Sequence, residues 1–356
     1  MVITVHHSRS SVQSGFSLIE LMVALVIGFV ILLALSAVFY TSTVSRKETD
    51  RAARQIENGR YAMQVLADDL RLAGYYAEFN SSLLTATPAV KPDPCLTTVA
   101  DLNAALPLHI QGYDNPTVAT IPTCVSDWKV GTDIVVVRRT ETCIRGAANC
   151  EGAANDGWAY FQAALCADVG STELASATVT DYFALDTDET KFNKHKRNCT
   201  AGAEIRRYRT EIYFIANNDV GTDGIPTLKR AELRNGTFTI VPMVEGIENL
   251  QMEYGVDTNG DGSPDTFTAN PDAFTYALCG TAPCMSTWRD VVSVRVNILA
   301  RNTEVSPAFT DTRVYTLGKK ADGTDNTFGA FNDAIKRHAY DGQVRINNVS
   351  ARRLVP

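Results

Sequence analysis

The residues best placed to do chemistry stand in DTNGDGSPD, 257–265. Asp257, Asn259, Asp261 and Asp265 fall there at positions one, three, five and nine, Gly262 at six, and Ser263 at seven offers its carbonyl. Oxygen donors two residues apart converge when a chain coils round a hard cation, and glycine permits the sharp turn, so calcium is one expectation for this loop. Position twelve is Thr268 in place of a bidentate glutamate, which excludes a helix-loop-helix sensor. The competing expectation is a solvated Asn-Gly/Asp-Gly turn between strands, which uses the same residues for backbone reasons. NNDVGTDG, 217–224, fits a cation less well and reads as a turn. Catalysis has less to draw on: GxSxG, HExxH, GxxxxGK[ST] and a GxGxxG before a helix are all missing, and His109, His195 and His338 lack carboxylate or cysteine patterning. A non-enzyme with no required cofactor is expected, calcium being the one ion the pattern could use.

Cysteine offers the second chemistry. All eight, Cys95, Cys124, Cys143, Cys150, Cys166, Cys199, Cys279 and Cys284, lie well beyond the first forty residues. An even number in such a region points to an oxidising compartment and disulfides. Cys143 with Cys150 and Cys279 with Cys284 close short loops and are the first candidates; the remaining pairing stays open. Structural zinc is disfavoured because no CxxC occurs and histidines are scarce.

A single acid, Glu20, stands one helical turn inside SGFSLIELMVALVIGFVILLALSAVFY, residues 14–40, an apolar run of membrane length. A charge at the centre of a membrane helix costs roughly 2.5–3.5 kcal/mol, less near an end, so one that persists needs a partner. An ordinary anchor gives no reason for it, and a cleaved secretory signal would have a shorter apolar core followed by a small-residue site. At the first turn the acid also suits the positive end of the helix dipole, a smaller effect of about 0.3–1 kcal/mol.

The elements that must carry these residues follow from periodicity. The first proline is Pro88, so a helix beginning near Ser17 can run on to Ala73, with Gly74 as its stop, reaching roughly 85 Å. Beyond Tyr40 it turns amphipathic, and Ala52, Ile56, Gly59, Met63, Leu66, Leu70 and Ala73 make one stripe that must bury against something. Prolines crowd 75–130, which reads as loops and short elements, and 143–199 reads as a disulfide-pinned excursion. Strand signals then dominate: TDIVVVRRT (132–140), EIRRYRTEIYFIA (204–216), PTLKRAEL and TFTIVPM around Asn235-Gly236, NLQMEYGV and DVVSVRVNILA. Their alternation predicts an antiparallel sheet with one buried face, an α+β fold with a long amino-terminal helix laid on it. At 45% hydrophobic and 21% charged residues the whole is otherwise ordinary for one or two folded domains. A net charge of -7 gives no pull toward nucleic acid, and Arg206, Arg207 and Arg209 read as a solvated strand face.

GFSLIELMVALVIG closely resembles the class III signal of type IV pilins and type II secretion pseudopilins. The resemblance implies a polar leader, residues 1–15, cut between Gly15 and Phe16 by a prepilin peptidase, with Phe16 becoming the N-methylated first residue. It implies a transmembrane and assembly helix over 16–40, an amphipathic half over 41–74, and a β-rich head over 75–356. Glu20, fifth in the mature chain, would meet the new amino terminus of a neighbouring subunit, two opposite charges that attract strongly where each alone is costly.

LKRAELRNGTFTIVPMVEGIENLQMEYGVDTNGDG, with WRDVVSVRVNILAR after it, looks like the PilW-type minor pilins, a resemblance over about residues 225–301. It implies a minor subunit that starts in the inner membrane with a periplasmic head and ends at the extracellular pilus tip. There it would join other minor pilins and the major pilin in a complex that primes assembly beneath a tip adhesin, supporting motility, adhesion and DNA uptake. Two other readings share some features: a minor pseudopilin of type II secretion, and a membrane-tethered calcium-dependent binding module. Residues 80–200 resemble nothing that would name a ligand.

Overall fold

The computed structural model describes residues 15–353 apart from 149, 151, 155, 169–172, 278, 280 and 282–283; the expected leader, except Gly15, lies outside the described residues. Helix α1 is one element, Leu18–Leu72. Internal contacts divide the chain into two compact units between Ala52 and Ala53.

In the first unit, the apolar side chains from Phe16 to Tyr40 are exposed, and the helix is long and apolar enough to cross a membrane. No packing within the chain explains this run. Lipid or other protein must cover it.

The second unit begins with the last turns of α1 and is otherwise mostly strand. Here α1 buries Gln55, Gly59, Ala62, Leu66, Asp69 and Leu70, followed by Ala73. The inward face keeps Gly59, Leu66, Leu70 and Ala73 of the stripe that apolar spacing predicts, but Gln55, Ala62 and Asp69 turn inward with them while Ile56 is left 44% exposed. Specific partners explain the difference. The Gln55 amide donates to the carbonyls of Ala300 and Lys336, both at 2.9 Å. Gly59 admits the Tyr340 ring, whose Cε2 would lie 2.3 Å from an added Cβ. Asp69 meets Arg139. The helix stops at Gly74, whose φ of +69° suits glycine and whose missing side chain leaves room for Val349.

Strands β1 (Ile110–Tyr113), β2 (Ile134–Thr140), β3 (Tyr160–Ala163), β4 (Phe183–Asp186), β5 (Ile205–Ala216), β6 (Thr227–Arg234) and β7 (Thr237–Glu245) form one antiparallel sheet. The long β5 is its hub, pairing with β2, β3 and β6 along successive stretches. The β6–β7 turn has left-handed backbone at Asn235 and Gly236, φ 47° and 72°, as a tight hairpin requires. Strands β8 (Ile247–Val256), β9 (Thr266–Thr268) and β10 (Val291–Arg301) join a second sheet that ends in β13 (Arg337–Arg345), in the order β13-β10-β8-β9. Between β10 and β13 the hairpin β11 (Val314–Lys319) and β12 (Asp325–Gly329) stands apart as a two-stranded sheet. Short helices α2 (Val99–Ala105), α3 (Met285–Arg289) and α4 (Asn347–Arg353) complete the unit.

One core joins Leu66 and Leu70 of α1 to Val135, Val137, Tyr213, Leu250, Met252, Val294 and Ile298 from both sheets. Each such aliphatic side chain contributes about 1.5–3 kcal/mol by leaving water. The expectation of one buried face fails for β8 and β10. Every residue of β8 is buried, polar ones included. Hairpin β11–β12 covers the second face: Asn326 donates to the Gln251 side chain at 2.9 Å, and Leu299 packs with Tyr315 and Leu317. The excursion 143–199 supplies β3 and β4 to the first sheet, and its Phe161 and Phe183 join Tyr76 and Phe79 in an aromatic cluster, with Phe79 and Phe183 centroids 4.9 Å apart.

All eight cysteines pair: Cys95–Cys124, Cys143–Cys150, Cys166–Cys199 and Cys279–Cys284. The first and third close the longest loops, with separations of 29 and 33 residues, and so restrict the unfolded chain most.

Candidate functional site

At the start of α1, the Ser17 N–H donates to Glu20 Oε2 at 3.1 Å, while the Ile19 N–H donates to Ser17 Oγ at 3.3 Å. This is one half of a capping box: the acid three residues on satisfies the backbone N–H of the N-cap serine, while the serine hydroxyl takes the N–H of Ile19. The signal was present as Ser17-Leu18-Ile19-Glu20, though apolar patterning alone does not reveal it. Glu20 Oε1 accepts no hydrogen bond among the described residues. The carboxylate therefore caps its own helix with one oxygen and can meet a cation with the other. Phe16 is 88% exposed beside it. An added Cβ at Gly15 would meet nothing within 4 Å, so internal packing gives no reason for glycine there.

The loop 257–265 is tightly self-paired. Asp257 is 1% exposed; its Oδ1 accepts from the Gly260 N–H at 2.6 Å and its Oδ2 from the Gly262 N–H at 2.9 Å. The same Oδ2 lies 3.2 Å from Arg353 Nη1 on α4. Asn259 Oδ1 accepts from the Asp261 N–H, and Asp261 Oδ1 from that of Ser263. Asp265 takes the Thr258 hydroxyl and N–H at 2.7 Å each, and these bonds hold its carboxyl below the usual range. Asn259 bridges Asp261 and Asp265, but the carboxylates of Asp257, Asp261 and Asp265 do not all lie within 4.8 Å of one another, and a cation at Asp257 would have to displace Arg353 or share the carboxylate with it. The groupings of metal-type side chains that do gather among the described residues, Glu141 with Cys143 and Cys150 and Asp168 with Cys166 and Cys199, hold their sulfurs in disulfides. A disulfide sulfur is not a thiolate ligand.

Two buried ionic clusters escaped sequence reasoning. In the first, Asp69 of α1 meets Arg139 of β2 at 2.7 Å and accepts from the Tyr213 hydroxyl, while Arg139 also lies 3.3 Å from Glu211 of β5. Burial, followed by the hydrogen bond and charge of Asp69, pushes Glu211 up to about 8. For Asp69, burial is outweighed by Glu211, Arg139 and Tyr213, and its carboxyl falls below the usual range. Asp69 thus gives up its proton more readily than Glu211, and the cluster ties α1 to the first sheet.

In the second, Arg337 of β13, 1% exposed at its side chain, meets Glu248 of β8, Asp311 at 3.2 Å and Asp333 at 2.7 Å. Arg301 and Lys129 approach the same Glu248 at 3.5 and 3.8 Å. Charge–partner separations of 70 residues for Arg139–Asp69 and 89 for Arg337–Glu248 leave no local pattern to find. Arg206 and Arg207, expected on a solvated face, are buried, with the Arg207 guanidinium 4.1 Å from the Trp158 ring centroid.

Comparison with known proteins bears on both ends of the chain. Residues 10–36 match the prokaryotic N-terminal methylation motif, and residues 212–348 match the family described as Type IV Pilus-assembly protein W. The second match runs past residue 301 to take in β11–β13. No curated protein matches. Among solved structures, the type IV-like pilin TTHA1219 from Thermus thermophilus is 13% identical over 85% of this chain and 98% of its own, with a TM-score of 0.31, too loose a fit for one fold to inform the other. The apolar helix and the methylation motif agree on membrane anchoring, and the pilin family implies contact with other pilus components. Two motifs that share no residue, one in the exposed helix and one in the paired strands, point the same way: the chain is similar to the PilW-like minor pilins of the type IV class.

Proposed function

We propose that the protein is a structural, non-catalytic subunit of the tip complex that primes type IV pilus assembly. Helix α1 holds it in the inner membrane with the head in the periplasm. Prepilin peptidase cuts after Gly15, Phe16 is methylated, and the subunit joins other minor pilins and the major pilin beneath a tip adhesin at the extracellular end. Motility, adhesion and DNA uptake depend on it through the filament.

The observation that carries this reading is Glu20. An acid is kept in an uncovered apolar helix, five residues past Gly15, with one carboxylate oxygen uncommitted. Cleavage generates an amine at Phe16, and an amine on an adjoining subunit is the partner such an acid lacks. The match over 212–348 favours a pilus over a type II secretion system.

The test is amino-terminal sequencing of the mature protein together with a Glu20→Leu variant. Sequence starting at N-methylated Phe16, and loss of surface pili in the variant with secreted enzymes unaffected, is the expected result. A mature protein starting elsewhere, or normal piliation with Glu20→Leu, defeats the reading; loss of secretion with pili intact moves it to the pseudopilins.

A further inference from the structure

A cavity of about 410 Å³ opens in the head beside the last turns of α1. Ile56 and Arg60 of the helix line it, with Phe309 and Arg313 from the segment before β11 and His338 and Tyr340 of β13. Its walls are of two kinds. The rings of Phe309 and Tyr340 and the Ile56 side chain make an apolar part, the Tyr340 ring being seated against Gly59 and edge-on to His338 at 4.7 Å. Basic groups make the rest, and no carboxylate is among the lining residues.

The arginines are unequally committed. Arg337 also borders the cavity, but Glu248, Asp311 and Asp333 occupy its guanidinium. Arg60 is exposed and has no hydrogen bond or ion pair among the described residues. Arg313 keeps its Nε on Asp311 at 3.2 Å, yet its side chain is 55% exposed. The Tyr340 hydroxyl is buried without a partner among the described residues, an unmet polar group in the pocket wall.

We propose that this cavity is a docking site for an acidic segment of a neighbouring protein, a carboxylate meeting Arg60 and Arg313 while an apolar or aromatic side chain of the same segment fills the part lined by Phe309 and Ile56. Guanidinium forks match carboxylates, and arginine beside aromatic rings is the composition that concentrates binding energy at interfaces. A nucleic-acid strand fits less well. A pocket of this size holds one or two side chains and does not track a backbone. The site goes beyond the assembly reading, and its occupancy does not depend on cleavage at Phe16, so either can fail alone.

The experiment uses the full chain in detergent micelles and fluorescence anisotropy with labelled hexapeptides. The panel carries zero to three Asp or Glu residues with and without a central Phe, a lysine-for-acid analogue of each, and a 12-nucleotide single strand as competitor. We expect acidic, Phe-containing peptides to bind at about 100 μM or tighter, and Arg60→Glu/Arg313→Glu to weaken them about tenfold or more. Arg60→Glu alone, at an exposed position with no internal partner, gives a weakening in the same direction should the Arg313 change disturb Asp311. Acidic peptides binding no better than their lysine analogues, equal binding by the variants, or tighter binding of the oligonucleotide would overturn the proposal.

Discussion

Replacing Arg337 with alanine measures what the second ionic cluster does for the head. The guanidinium is withdrawn from water and serves Glu248, Asp311 and Asp333 together. Asp311 would keep the Tyr315 hydroxyl at 2.9 Å and Arg313 at 3.2 Å, and Asp333, 39% exposed, would turn to solvent. Glu248 is the group left short, since Arg301 and Lys129 lie 3.5 and 3.8 Å away. Removing one partner of a buried pair costs about 3–5 kcal/mol, and the two compensated acids place this case near the lower end, about 3 kcal/mol. The lost stacking of Arg337 on Phe331, 3.7 Å from the ring centroid, adds to it. At about 2–4 °C per kcal/mol the midpoint should fall by roughly 6–12 °C. Thermal unfolding of the full chain in detergent at pH 7, followed by near-UV circular dichroism, reads this directly. Glu248→Gln is the control, because it leaves Arg337 with two acids; it should cost only about 1–2 kcal/mol. A midpoint for Arg337→Ala within about 2 °C of the parent, or a larger loss for Glu248→Gln, would refute the reasoning.

Two further predictions concern the head. His109 is buried, with its ring nitrogen 2.8 Å from the Val291 carbonyl, and burial is the largest influence holding it down to about 4 from 6.5. A base depressed on folding gives stability that is present above 6.5 and lost as pH falls through about 4, up to about 3 kcal/mol. The decline in midpoint between pH 6.5 and 4 should therefore be shallower in His109→Gln, and identical slopes would show that another group titrates. For the loop 257–265, Asp257→Ala should lower stability by about 2–3 kcal/mol with or without calcium, because it strips Arg353 of a buried partner. Asp261→Ala, exposed, should change little; a calcium-dependent rise in midpoint that disappears in Asp261→Ala would establish an ion in the loop.

Much of the architecture is legible because its signals are local. The helix limits follow from proline distribution and from Gly74, the β6–β7 hairpin from Asn235-Gly236, and β8 and β10 from alternation of residues such as Leu250, Met252 and Tyr254. What escapes is decided by partners distant in sequence. Gln55 and Asp69 face inward because Ala300, Lys336 and Arg139 wait for them, which widens the buried face beyond its apolar stripe. Strands β3 and β4 are four residues each, too short for periodicity to register. The second face of β8 and β10 is buried only because a later hairpin folds over it, so alternation along those strands could not reveal the cover. For the site, the acid at Glu20 stands out by its apolar setting, while its capping partner Ser17 is a small polar residue that hydropathy passes over.

The complete pairing of cysteines has a consequence for how such a subunit can be used. With no thiol to exchange, the head has no cysteine route to a covalent cross-link with its neighbours through its own chemistry. Synthesis in a reducing cytosol would leave stretches of 29 and 33 residues unfastened, so the place where the chain is oxidised also decides when the head reaches its final, fully tied form.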